Sequence, residues 1–210
     1  LGCLDPGDFV LNGIGVISHR IDEGQPSSRL AAIMANALLP YELGMAAQRR
    51  EVKVLQIATD CVYSGAVGNY TELAAHDPLD VYGKSKSLGE VPIDSVMHLR
   101  CSIIGPEVGR NLSLFEWVRN QPQNAEIRGY ADHFWNGVTT YAFANVALGI
   151  VNQGLFRHGV QHLLPRDTVS KYELVKLLAA RAMREDIKTI KWETGDPVNR
   201  TLSTTEPAIN

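Results

Sequence analysis

The 210-residue chain is 45% hydrophobic and 20% charged, with a formal net charge of -3, a composition that fits one globular domain or one domain with a small appendage. The faintly acidic balance gives no electrostatic reason to expect nucleic acid or a membrane surface as partner. Cys3, Cys61 and Cys101 lie far apart, the last two inside apolar runs, so buried reduced thiols in a reducing cytoplasm are expected, not disulfides.

From the N-terminus, residues 9–18 form a near-continuous apolar run with glycines, the pattern of a strand buried on both faces. No basic segment followed by an apolar one precedes it, so no signal peptide is predicted. Residues 29–48 have helical composition. Asn36, Pro40 and Glu42 interrupt their apolar stretch, which reads as a buried helix and not as a bilayer span. Residues 52–62 predict a second buried strand and residues 64–78 a loop. A short helix follows over residues 81–91, then a third strand over residues 95–104, closed by Gly105-Pro106. Residues 114–120 read as helix, 126–134 as irregular or extended, and 140–153 as an alanine- and valine-rich helix. Residues 162–165 predict a short strand. Residues 170–184 form a strongly amphipathic helix with Ser170 as N-cap and Glu173 three positions on. The tail from residue 191 has little periodicity. Buried strands alternating with helices indicate βαβ units and a doubly wound α/β fold with a parallel sheet.

Tyr82 and Lys86 stand four apart in a predicted helix, a spacing that stacks both side chains on one face, one turn apart. An ammonium beside a phenol favours the phenolate and lowers its pKa from about 10 towards neutrality, which suits it to exchange a proton with an alcohol or carbonyl oxygen. Thr59, at the end of the second predicted strand, is the hydroxyl expected to bind the same oxygen, since strand ends are where ligands sit in open α/β sheets. The spacing alone is a weak signal, because Tyr172 and Lys176 repeat it. That second pair has no strand-end hydroxyl before it and reads as an ordinary surface-and-core helix pair.

The context of the first pair is more specific. The segments IATDCVYSG (57–65), DVYGKSKSLGE (80–90) and LRCSIIGPE (99–107) follow one another as do the motifs of the extended short-chain dehydrogenase/reductases. The chain most resembles their dTDP-4-dehydrorhamnose reductase branch and its capsule-polysaccharide relatives. Asn12-Gly13-Ile14-Gly15 is similar to the Asn-x-x-Gly turn after a core strand, and Asn199-Arg200-Thr201-Leu202 to the arginine-containing segment that closes these proteins. The resemblance implies a Rossmann-like cofactor part over residues 1–105 and a small, mainly substrate-binding part over residues 106–210, with residues 140–165 returning to the core sheet. It implies Thr59, Tyr82 and Lys86 as catalytic residues and NADP or NAD as cofactor. Asn12, Gly13, Ile14, Gly15, Tyr82, Lys86, Cys101, Ser102 and Ile103 would hold that cofactor. Thr59, Asp60, Cys61, Trp135 and Asn136 would contact a nucleotide-sugar substrate. For Trp135 and Asn136 a core tryptophan beside a turn asparagine is an equal alternative. A homodimer built through two helices per subunit is implied by analogy. The activity implied is hydride transfer to a keto carbon of a nucleotide-linked sugar. The alternatives are an epimerase or dehydratase of the same superfamily, or a non-catalytic nucleotide-sugar-binding module.

Two departures qualify the resemblance. The G-x-x-G-x-x-G turn of the family, where the cofactor pyrophosphate meets a helix N-terminus, has no match here, so an N-terminally truncated cofactor domain is expected, lacking on the order of 60 residues. Cys61 and Ile103 stand where rhamnose-forming members often carry aromatic residues. Other chemistries find little support. His158 and His162 have helical spacing, but no acidic or cysteine partner follows in metal-ligand spacing, and surface histidines are expected. No G-x-S-x-G elbow is present. Cys61 is expected to pack, Asp60 to orient backbone, and Arg49-Arg50-Glu51 to form a solvated helix end.

Overall fold

The computed structural model describes residues 2–107, 109 and 112–205. Strand β1 (Phe9–Asn12) leads to α1 (Pro26–Ile33), which continues through one π-helical turn (Met34–Leu38) into α2 (Leu39–Gln48). Strand β2 (Lys53–Thr59), a 3-10 turn (Asp60–Val62), α3 (Val81–Leu88), β3 (Val96–Cys101) and β4 (Ile103–Ile104) follow. Next come α4 (Leu114–Arg119), β5 (Glu126–Tyr130), β6 (His133–Trp135), β7 (Val138–Thr139) and α5 (Thr140–Gln153). The chain closes with β8 (Gly159–His162), β9 (Val169–Ser170), α6 (Lys171–Arg181), β10 (Lys188–Trp192) and β11 (Val198–Asn199).

The main sheet is parallel, in the order β1-β2-β3-β8, with Leu11 opposite Leu55, Leu55 opposite Met97 and Leu99 opposite Gln161. All six residues of β3 are buried, as a central strand covered on both faces requires. Because successive side chains of a strand point to opposite faces, Leu55, Met97 and Leu99 pack with Phe143, Ala147 and Ile150 of α5 on one side. On the other side Val54 and Val96 pack with Ala47 of α2, Val52 and Val91. This is the doubly wound α/β arrangement. Each fully buried large aliphatic or aromatic side chain contributes about 1.5–3 kcal/mol, so these two layers hold the sheet.

A second core lies between α4, α6 and the parallel pair β5–β10, around Val118, Ile127, Leu174, Val175, Leu178 and Ile187. Ser170 caps α6 as expected: its hydroxyl accepts from Glu173 N, and the Glu173 carboxylate accepts from Ser170 N. Thr139 caps α5, and left-handed Gly154 ends it.

Several predicted boundaries move. The first strand stops at Asn12 instead of residue 18, because the Asn12 side chain accepts from Ile14 N (3.1 Å) and turns the chain. The strand expected over residues 162–165 forms over Gly159–His162, where the parallel register with β3 begins at Gly159. The extended region splits into β5 and β6, and the tail contributes β10 and β11. His162 is no surface residue: its side chain is fully buried, while His158 is exposed. The continuous helix Pro26–Gln48, 23 residues with an 18-residue stretch of mean hydropathy 1.3, is long and apolar enough to cross a membrane by length and composition alone. Here it packs on β2 and α3.

Candidate active site

The parallel sheet brings the C-terminal ends of β1, β2 and β3 together at one edge, and α3 crosses beside them. Asp80 starts α3 by accepting from Gly83 N at 2.7 Å. Gly83 lets the helix lie against the 3-10 turn, since a Cβ there would come within 2.2 Å of the Cys61 carbonyl oxygen. This close seat puts Tyr82 beside the strand end. The Thr59 hydroxyl stands near enough to the Tyr82 phenol to act on its acidity; it accepts from Cys61 N (3.2 Å) and lies 3.3 Å from Asp60 Oδ1. One turn on, Lys86 Nζ donates to the Ile57 carbonyl of β2 at 2.7 Å. Thr59 and Tyr82 thus lie together at the end of β2, while the Lys86 ammonium is spent on the β2 backbone.

The electrostatics differ from the sequence expectation. Burial pushes the Tyr82 phenol above its ordinary value, and the anionic forms of Cys61, Asp60 and Asp80 add to the rise, while the neighbouring Thr59 hydroxyl opposes it. Burial also lowers Lys86, with Glu90 the main charge opposing that shift. The phenol is thus held protonated. Asp60 is raised by burial and partly relieved by Arg200 and Lys171, and the Cys61 thiol is pushed up to about 12 by burial and by Asp60.

The Asn12–Gly15 turn lies over β2 and the π-helical turn: a Cβ at Gly13 would touch the Ile57 side chain, and one at Gly15 the Asn36 amide oxygen at 3.0 Å. Asn12 Nδ2 donates to Gln56 Oε1 (2.7 Å). Cys101 is buried in the core. Ser102 Oγ accepts from Trp135 Nε1 at 2.9 Å, and Ile103 and Trp135 line a cavity of about 230 Å³. Asn136 is buried with its amide spent on the Leu202 backbone, donating to its carbonyl (2.7 Å) and accepting from its N–H (3.0 Å).

Sequence reasoning missed several residues. Asn36, in the π-helical turn, accepts from Val16 N (2.8 Å) and donates to Val16 O (2.9 Å) and Ser85 Oγ (3.0 Å), tying the turn after β1 to α3. A larger cavity of about 610 Å³ is lined by His19, Trp117, Arg128, Tyr130, His133 and Lys171, with Leu112, Leu114 and Val175. Neither cavity is lined by Thr59 or Tyr82. Lys171 joins the two regions: it borders both cavities, and its charge partners are Asp60 and Cys61. Only its place beside the Ser170 cap was visible in the sequence.

Comparison with known proteins follows the same lines. The family model described as RmlD substrate binding domain matches residues 19–204. Similar solved structures include a dTDP-4-dehydrorhamnose reductase from Clostridium acetobutylicum, with TM-score 0.76 and 21% identity, covering 95% of this chain and 71% of that one. Another, from Bacillus anthracis in complex with NADP, gives TM-score 0.76 and 18% identity over 96% of this chain and 72% of that one. A UDP-glucuronic acid 4-epimerase from Bacillus cereus, in complex with NAD and a fluorinated UDP-sugar, gives 0.69 and 16% over 96% and 67%. A search of curated proteins finds no match. At these identities the structures establish the fold, and the family match, which spans most of the chain, establishes membership: the chain belongs to the RmlD substrate binding domain family, on the Rossmann-like fold of the short-chain dehydrogenase/reductases.

Proposed function

We propose that this protein takes part in NAD(P)H-dependent reduction of a keto group on a nucleotide-linked sugar, in polysaccharide precursor synthesis. The observation that carries the reading is the placing of the Tyr82 phenol beside the Thr59 hydroxyl at the end of β2, with Lys86 one turn further along α3. In this reading the Thr59 hydroxyl grips the substrate carbonyl oxygen, and Tyr82 Oη delivers its proton to that oxygen as negative charge develops on it. A phenol whose pKa is raised by burial stays protonated at neutral pH and still protonates an alkoxide, a far stronger base.

The residues present suit a nicotinamide cofactor. Asn12–Gly15 form a small-residue turn against Ile57 and Asn36, and Lys86 reaches the same strand from α3. The cofactor, when bound, supplies the hydride. Lys86 would hold a ribose hydroxyl and keep positive charge near Tyr82. The large cavity, with Arg128, Lys171, Tyr130 and Trp117, has the volume and the mix of cationic and aromatic groups that a nucleoside diphosphate sugar needs.

Tyr82→Phe is the direct test. Turnover measured as NADPH oxidation with a keto-sugar nucleotide should fall by roughly two to four orders of magnitude, with sugar-nucleotide binding nearly intact. Unchanged turnover removes Tyr82 from the mechanism. Turnover without net NADPH consumption assigns the protein to the epimerases instead.

A further inference from the structure

Arg100 of β3 is the largest fully buried side chain. A guanidinium has five N–H donors and no acceptor, and here each donor has its own acceptor. Nε donates to Glu90 Oε1 (2.9 Å). Nη2 donates to Glu90 Oε2 and to His76 Nε2, the latter at 2.8 Å. Nη1 donates to Tyr63 Oη (2.5 Å) and His162 Nε2 (2.8 Å). Since arginine cannot accept, Nε2 of each imidazole carries a lone pair and the ring proton sits on Nδ1. From there His76 donates to Ser87 Oγ, and His162 to the Ser203 carbonyl, both at 2.7 Å. An imidazolium would turn an N–H towards the guanidinium and break the set.

Two arms of this hub reach the catalytic helix. Ser87 follows Lys86 directly, and Glu90 stands just beyond the helix end. We propose that Arg100 is a positioning residue for Lys86, holding the last turn of α3 through Glu90 and through the His76–Ser87 bridge, and that the bridge works only while His76 is neutral. This rests on the reading of Tyr82 and Lys86 as the reacting pair. His76 faces Arg100 from β3, Glu90 from beyond α3 (3.5 Å), neighbouring Asp77, and the Tyr63 ring edge-on. His162 faces Arg100, Glu90 and Glu72, the last at 3.8 Å. Burial outweighs the carboxylates and holds both rings below the ordinary histidine value.

The test compares His76→Phe with His76→Gln, whose amide can accept from Arg100 and donate to Ser87 but does not titrate. In the 210-residue chain with 13C-labelled lysine, His76→Phe should shift the Lys86 Cε resonance and its titration, while His76→Gln should overlay the native protein. On acidification the native resonance should move with His76, and that of His76→Gln should not. Under turnover, His76→Phe should lower kcat by roughly ten- to a hundredfold, the cost of an ångström-scale misplacement, at unchanged KM. His76→Gln should restore kcat and move the acid limb of the pH profile to lower pH. If His76→Phe fails to fold by circular dichroism, Ser87→Ala should give the same lysine shift. A Lys86 resonance indifferent to these changes, or an acid limb unmoved in His76→Gln, overturns the proposal. Full turnover in Tyr82→Phe sinks the catalytic reading instead, and the lysine titration, which needs no turnover, still judges the Arg100 hub.

Discussion

Gly89→Ala sets two effects of opposite sign against each other. Gly89 caps α3 at φ -81 and ψ -2, a right-handed conformation open to any residue, so glycine is not needed there for its backbone freedom. On that ground alone alanine would stabilise the fold by about 0.4–1 kcal/mol, by narrowing the unfolded ensemble. Its Cβ, however, would stand 1.9 Å from the Asn36 carbonyl oxygen and 3.0 Å from the Asn36 carbonyl carbon. Both are backbone atoms in the π-helical turn and cannot swing aside. Overpacking of this kind costs about 1–3 kcal/mol, and with two rigid backbone atoms in the way the upper part of that range applies, so the clash wins and the net change is a loss of up to about 2.6 kcal/mol. For a chain of this size that lowers Tm by about 2–4 °C per kcal/mol. Gly149→Ala is the control. It lies inside α5 with only Gln153 Nε2 near, at 4.0 Å, and should gain about 1 kcal/mol from helix propensity. Urea unfolding followed by far-UV circular dichroism should move the two midpoints in opposite directions with unchanged slopes. A Gly89→Ala midpoint at or above that of the native protein would refute the claim that α3 is seated directly on the Asn36 backbone.

Two further outcomes are expected. Ser170→Ala removes a reciprocal capping box from α6 and should cost about 0.5–2 kcal/mol, read as a lower urea midpoint; no change would mean that the Glu173 carboxylate does not depend on its partner. Burial lowers the pKa of His76, His98 and His162, so the unfolded chain takes up protons at a pH where the folded chain still resists them. Stability should therefore be full above about pH 6.5, the unperturbed histidine value, and decline as pH falls below it. Urea midpoints taken from pH 7.5 down to about 5.5 should fall together, and a midpoint that rises on acidification contradicts the assignment of these rings as buried and neutral.

The parts of the fold legible in the sequence were those written in local pattern. The apolar runs of β2 and β3, the alanine-rich α5 and the Ser170–Glu173 cap each carry their signal within a dozen residues. The small strands β10 and β11 do not: they are half exposed, pair over only five and two residues, and show no clean alternation. The site divides in the same way. Thr59, Tyr82 and Lys86 are singled out by motif order, which supplies what the spacing cannot. Asn36 was read only as a break in an apolar helix, although its side chain bonds to Val16 and Ser85 from 20 and 49 residues away. The pKa of Tyr82 was misjudged because spacing reports the nearby lysine and says nothing of how far the phenol is withdrawn from water.

The C-terminal segment shows why the rest was hidden. Arg200 Nε donates to the Tyr63 carbonyl at 2.9 Å, and its charge acts on Asp60 beside Thr59. Thr201 Oγ1 accepts from Asn69 N (3.0 Å), Leu202 is gripped by Asn136, and Ser203 by His162. Each of these hydrogen bonds joins positions 41 to 137 residues apart, so no window of sequence contains one. Asn136 illustrates the consequence. Read locally, an asparagine between tryptophan and glycine suits either a sugar hydroxyl or a turn. Read in three dimensions, both ends of its amide meet the Leu202 backbone, and its work is to hold the segment that carries Arg200 to the turn after β2. A change at Asn136 should therefore act on the substrate only through the tail, and its effect should track loss of the Arg200–Tyr63 hydrogen bond.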